Sequence, residues 1–188
     1  MNVERATVVD TVAIQRSTRM SKSEAIDLAR QCGAIVLEGR ARIEKFHADD
    51  DLTRATPYEV VDTEPNLLLT AGANLMWTLL SGGSGTVYNA SNARIAVGSG
   101  TTAAAASDTT LQTQHTGGRQ QVTGAPVIAT NTITYQASFG TSVANGEWRE
   151  IGLVNHASAG VLFNRLVTNM GTKTNQATWI ASLTLSAG

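Results

Sequence analysis

Three stretches of the second half alternate apolar and polar residues with period two. Ala93, Ile95 and Val97 alternate with Asn92, Arg94 and Ala96 until Gly98-Ser99-Gly100 breaks the run. Ile133, Tyr135, Ala137 and Phe139 alternate with Thr132, Thr134, Gln136 and Ser138, and Ala177, Trp179, Ala181, Leu183 and Leu185 with Thr178, Ile180, Ser182 and Thr184. Successive side chains of a strand point to opposite faces, so a threonine-rich alternation predicts antiparallel strands with one face buried. Two further apolar runs, 148–154 and 161–167, bring the expectation to five strands between 92 and 186, with turns at Asn145-Gly146 and Ala159-Gly160. Such spacing predicts an antiparallel β-sandwich or jelly-roll-like module. The Thr-, Ala-, Gln- and Gly-rich residues 101–131 read as a long excursion on its edge.

The first half carries the helical signals. Ser21-Lys22-Ser23-Glu24 has the spacing of a capping box, and Ala25, Ile26, Leu28 and Ala29 give a short apolar stripe with Gly33 as its stop. A strand is predicted from 34–38, continuing through Ile43 to Phe46. Leu68, Gly72, Leu75, Met76 and Leu79 recur at helical spacing, which predicts a helix over 67–81 capped by Asn66 and ended by Gly82-Gly83-Ser84-Gly85. Trp77 falls off that stripe and is free to meet a partner or a strand of its own chain. In residues 1–20, Val8, Val9, Val12 and Ile14 are scattered among polar residues without helical period, and the segment reads as an extended arm. The organisation expected is therefore a mainly β chain with two short helices: a docking extension (1–43) of arm, helix and strand, then a sandwich module (44–188).

Composition changes this picture in one respect. Hydrophobic residues are 42% of the 188, enough for a core, but only 15% are charged, against roughly 25% in an ordinary soluble domain. Uncharged surface suits packing against neighbours. The net charge of −1 and the dispersed Lys and Arg argue against a nucleic-acid partner. The densest basic group, Arg16, Arg19 and Lys22, stands beside Glu24 and Asp27. A single cysteine, Cys32, excludes an internal disulfide and a cysteine-based zinc site; at a short helix end it is expected to be buried. No apolar run approaches the ~18 residues of a membrane span, and assembly in a reducing cytoplasm is expected.

Chemistry-bearing patterns are sparse. His47, His115 and His156 lie in polar contexts, and no Gly-x-Ser-x-Gly elbow is present. Asp49-Asp50-Asp51 lacks the alternating oxygens and distal Glu of a calcium loop. Glu147 and Glu150 would project to opposite faces of one strand, so they cannot act as an acid–base pair, and Glu150 is expected to pair with Arg149, Arg165 or Arg94. The sequence thus predicts no enzyme, no catalytic residues, no metal and no cofactor. The interaction residues it offers are Val8, Val9, Val12, Ile14, Arg16 and Arg19 of the arm, together with Trp77.

An ordered series of short motifs runs over 44–186. It starts with Glu44-Lys45-Phe46, Pro57-Tyr58-Glu59-Val60-Val61, Asn66-Leu67-Leu68-Leu69, Gly72 and Leu75-Met76-Trp77. Its most specific part is Asn92-Ala93-Arg94-Ile95-Ala96-Val97-Gly98 with Thr101-Thr102 and Asp108-Thr109-Thr110-Leu111. Ala137-Ser138-Phe139-Gly140, Ala144-Asn145, Trp148-Arg149-Glu150, Ile151-Gly152-Leu153, Asn164-Arg165, Gly171-Thr172-Lys173 and Ala177-Thr178-Trp179 close it. In order and spacing this series resembles a family of small virion structural proteins of tailed bacteriophages. The first 40 residues lie outside it. The resemblance implies a β-sandwich virion component with no catalytic residues to carry over. The expected role is a capsid cement or decoration subunit, homo-oligomeric and packed on copies of itself and the major capsid protein. The alternatives are a tail, baseplate or fibre-base subunit and, further off, a host glycan-binding module.

Overall fold

Residues 177–187 show how the alternation is used. In the computed structural model, which describes residues 21–32 and 36–188, they form β10 (Ala177–Ala187), the centre of a five-stranded antiparallel sheet ordered β2-β1-β10-β7-β6. Its companions are β1 (Leu37–His47), β2 (Glu59–Asp62), β6 (Val127–Ala129) and β7 (Thr132–Phe139). Across this sheet, Ala181 lies between Ile43 and Ala137, and Leu183 between Ala41 and Tyr135. Large and small side chains thus alternate within the buried face, which lets the opposite sheet interdigitate. On the outer face the threonines pair instead, Thr134 Oγ1 with Thr184 Oγ1 at 2.8 Å.

The second sheet, also of five antiparallel strands, is ordered β3-β9-β8-β4-β5. It comprises β3 (Leu67–Leu68), β4 (Arg94–Gly98), β5 (Gln114–Gln121), β8 (Gly146–Val154) and β9 (Asn164–Lys173). One buried cluster joins the sheets. Trp148 of β8 meets Phe139 and Trp179 of the first sheet edge-on, with ring centroids 4.7 and 4.8 Å away. Its indole N–H donates to Ala144 O at 2.8 Å, so the ring is buried without an orphaned polar atom. The protein is an antiparallel β-sandwich.

Two units are distinguished, Met1–Val36 with Gly188, and Leu37–Ala187; each is described by itself. In the first, helix α1 (Lys22–Gln31) begins with the predicted capping box. Glu24 N–H donates to Ser21 Oγ at 3.2 Å and Ser21 N–H to Glu24 Oε2 at 2.8 Å. Cys32 caps its C-terminus and is exposed, against the expectation of burial, because the end of this short helix is not enclosed. The second unit holds the whole sandwich and helix α2 (Thr70–Leu80).

Several sequence expectations are corrected. The boundary at 43/44 falls inside β1, which pairs along its length with β10. The excursion at 101–131 contains two edge strands, β5 and β6, whose apolar alternation is too weak to be read. The strand expected at 161–167 is displaced to β9, with Leu162 making only a bridge to Val154. Asn66 does not cap α2: the helix starts at Thr70 with Leu69 at its cap and no side-chain bond there. Asn66 is buried where the chain crosses between sheets, its N–H bonded to Gly39 O at 2.7 Å before Leu67 and Leu68 pair with β9.

Candidate functional site

The crossing at Asn66 opens one end of the sandwich. A cavity of about 550 Å³ lies there, its described lining drawn from the Leu37–Ala187 unit. On one sheet it is walled by the start of β1, the end of β10, the start of β7 and Ile128 of β6. On the other it is walled by Leu68 of β3 with Phe163 and Asn164 at the head of β9. Helix α2 closes a third side with Met76, Leu79 and Leu80. It is held by Gly72, which presses on Phe163 so closely that a Cβ there would come 2.5 Å from the Phe163 carbonyl oxygen.

The walls are mostly apolar, and one carboxylate, Glu38, lies among them. It is engaged: Arg40 Nε is 3.7 Å from its Oε1, and Ser186 Oγ donates to that oxygen at 3.5 Å. Tyr88 donates its hydroxyl to Val161 O at 2.8 Å and packs edge-on against Phe163. Burial raises the phenol of Tyr88 and pushes that of Tyr135 up to about 12, so both stay neutral well beyond ordinary pH.

The floor is polar. Asn66 and Asn164 are 4% and 1% exposed. Asn164 Oδ1 accepts from Leu153 N–H at 2.9 Å, while Asn164 Nδ2 and both polar atoms of the Asn66 side chain have no hydrogen-bond partner among the described residues. A buried, unpaired amide group costs about 1–3 kcal/mol. Both amides pack against Gly39, where a Cβ would collide with Asn66 Oδ1 and lie 2.9 Å from Asn164 Nδ2.

The mouth is apolar too. Leu80 and Ile128 line it and are 76% and 75% exposed; Trp77, one turn before Leu80 on α2, is 58% exposed. Trp77 is the only interaction residue read from the sequence that is on view. Val8, Val9, Val12, Ile14, Arg16 and Arg19 lie outside the described residues. Ile128 and Leu80 were not singled out in the sequence, and Asn66 and Asn164 entered it only as a helix cap and as members of the motif series. Leu80, four residues after the stripe member Met76, was the one legible signal.

Away from this end the buried charged groups have hydrogen-bond partners, although the Trp179 indole N–H has none among the described residues. Arg165, 0% exposed, donates to Glu150 Oε2 from Nε at 2.9 Å, to Asp108 Oδ2 from Nη1 at 2.8 Å and to Thr102 O from Nη2 at 3.1 Å. Glu150 accepts further bonds from the Gly100, Gln112 and Thr113 N–H groups at 3.2, 2.9 and 2.6 Å. Of the three arginines considered for Glu150, it is Arg165 that pairs with it. The Ala105 N–H and then Arg165 hold the Asp108 carboxyl below the usual range. With its acceptors filled, Glu150 has no lone pair free for a substrate; the node fastens the 99–113 segment to the sheet.

The three histidines lie on different segments and have different partners. His47, at the end of β1, stacks on Tyr58 with ring centroids 4.7 Å apart. His115, on β5, approaches Glu147 O with Nε2 at 2.8 Å, and His156 Nδ1 accepts from Ser158 and Ala159 N–H. His47 and His115 thus lie on strands and not in loops, as their polar context suggested. Among the described residues no group of three His, Cys, Asp or Glu side chains could hold a metal ion, and no helix is long and apolar enough to cross a membrane. No family model, no curated protein and no solved structure matches the chain.

Proposed function

We propose that this chain is a structural subunit of a tailed-bacteriophage particle, a cement or decoration protein that acts by packing on copies of itself and on the capsid shell. The observation that carries this reading is the uncharged rim at the α2 end. Trp77, Leu80 and Ile128 are all more than half exposed there, and α2 has no acidic residue in its first turn and no basic one in its last. Large apolar side chains grouped in water mark a surface that a partner covers. In a shell each copy needs only a modest contact, because many copies share the load. The order of motifs over 44–186 supports the same reading. That series carries no catalytic residues over to the chain.

The test is to mix the full chain with undecorated shells and sediment them. Wild type should pellet with the shells and Leu80→Asp with Ile128→Asp should stay in solution. Equal pelleting of both would remove the rim from the interface. A reconstruction of intact particles with the chain only at the tail would replace the cement role by an adaptor role.

A further inference from the structure

We propose that Asn145 is a self-modification site: attack by the Gly146 backbone nitrogen expels its side-chain ammonia, and the carboxylate left behind becomes the counter-charge of the buried Lys173. The inference does not depend on the packing role of the α2 rim.

Three observations converge. First, Asn145-Gly146 is the one Asn-Gly pair in the chain, and it stands in water where the chain turns into β8. Asn145 is exposed and lies just ahead of the strand. The residues on either side have positive φ, 52° at Ala144 and 128° at Gly146. An asparagine followed by glycine is especially labile, because no Cβ shields the following backbone nitrogen from the carboxamide carbon.

Second, the carboxamide is held against a cation. Lys173 Nζ donates to Asn145 Oδ1 at 2.9 Å, and Asn145 Nδ2 donates to Thr141 O at 2.9 Å. When a nitrogen adds to Cγ, negative charge gathers on Oδ1, and a donor already aimed at that oxygen stabilises it.

Third, Lys173 lacks an anion. It is 1% exposed, and its acceptors among the described residues, Gly140 O, Asn145 Oδ1 and Thr174 O, are all neutral. The other buried cations differ: Lys45 is paired with Glu59, and Arg165 with Glu150 and Asp108. A buried charge without a counter-charge is unfavourable. A carboxylate in place of the Asn145 carboxamide would supply one on an atom that Lys173 already touches.

The step balances without a redox partner. The bond from Gly146 N to Asn145 Cγ forms and the Cγ–Nδ2 bond breaks. The Gly146 amide proton leaves with Nδ2 as ammonia, and a cyclic imide remains. Water then opens the ring at either carbonyl, leaving aspartate or isoaspartate. Each carries a carboxylate where a neutral amide stood.

The experiment incubates the full chain at physiological pH and temperature and follows it by peptide mapping with mass spectrometry. The peptide holding Asn145 should exchange an amide NH2 for an acid OH at least about tenfold faster than those holding the exposed Asn89 and Asn175. Asn145→Asp, the product made directly, should melt about 2–4 °C above fresh wild type, and that gain should vanish when Lys173→Met is added. An Asn145 peptide that changes no faster than the other two would overturn the proposal. So would a loss of ammonia that joins the Asn145 peptide to that of Lys173, since the lysine would then be the nucleophile. A gain from Asn145→Asp that is absent, or that survives Lys173→Met, would overturn the counter-charge role.

Discussion

The middle of the sandwich and its α2 end are built from the same strands, yet they treat polar and apolar groups in opposite ways. In the middle, Arg165 is wholly buried with its donors spent on Glu150, Asp108 and Thr102, and Trp148 is buried with its N–H satisfied. At the α2 end, the Asn66 amide and Asn164 Nδ2 are buried without partners among the described residues, and leucine, isoleucine and tryptophan side chains stand in water. Each arrangement is unfavourable for an isolated chain, and they occur at the same place. In the middle the chain's own groups satisfy the buried charges, with the Trp179 indole N–H as the exception; at the α2 end they leave the Asn66 amide unpaired.

The largest expected effect comes from breaking the finished half. Arg165→Leu leaves the Glu150 carboxylate buried and without its counter-charge, and removing one partner of a buried pair costs about 3–5 kcal/mol. Denaturant unfolding should show that loss, and the 99–113 segment should become sensitive to protease. If the variant lost less than about 1 kcal/mol, the node would not be what fastens that segment.

Lys173, at the far end of β9, gives a second, pH-dependent test of a buried charge that the chain satisfies itself. Its Nζ is buried and donates to Gly140 O, Asn145 Oδ1 and Thr174 O, at 2.7, 2.9 and 3.5 Å. Burial brings its pKa down to about 8 from 10.5. Between those values the unfolded chain binds more protons than the native one, so stability from this group rises as pH climbs from about 8 towards 10.5 and is flat below 8. Tyr135 acts in the other direction. Its folded pKa of about 12 lies above the ordinary value of 10.0, so its contribution is complete below pH 10 and is lost as pH rises through 12. Wild type should therefore gain stability from pH 8 to 10 relative to Lys173→Met, and both should lose it above. A wild-type curve parallel to the variant's across pH 8–10 would show that the three acceptors hold Lys173 charged.

The contrast also explains what could be read in the sequence. Strands β7 and β10 were legible because one face is buried and the other wet, which writes the period-two pattern directly. The capping box of α1 was legible because Ser21 and Glu24 satisfy each other locally. Edge strands β5 and β6 were not: Val127, Ile128 and Ala129 are all exposed, so no alternation records them. Asn66 was misread for a similar reason. Before an apolar run an asparagine is a good N-cap by propensity, but here Leu67 and Leu68 are drawn into pairing with β9 and the helix begins later. The candidate site is assembled from β1, β3, β6, β7, β9, β10 and α2. A site made by long-range packing, without a local motif, leaves almost no trace along the chain.

The smallest effect on folding is expected at the rim, and its smallness is what sharpens the comparison. Trp77→Ser and Leu80→Ser remove apolar groups that are already mostly in water. Neither side chain gains much by folding, and each change should move the stability of the isolated chain by no more than about 0.5 kcal/mol. A buried tryptophan such as Trp148 cut back to alanine would cost about 3–5 kcal/mol, so the same kind of truncation separates the two regions roughly tenfold. If the rim completes its burial in an assembly, the same serine variants should weaken association by more than 1 kcal/mol each, since apolar anchors at an interface are where truncation is felt. Analytical ultracentrifugation of the chain alone and with shells reads that difference. A loss of folding stability as large as the loss of association would mean that Trp77 and Leu80 are needed by the isolated sandwich, and the two halves of the molecule would no longer stand apart.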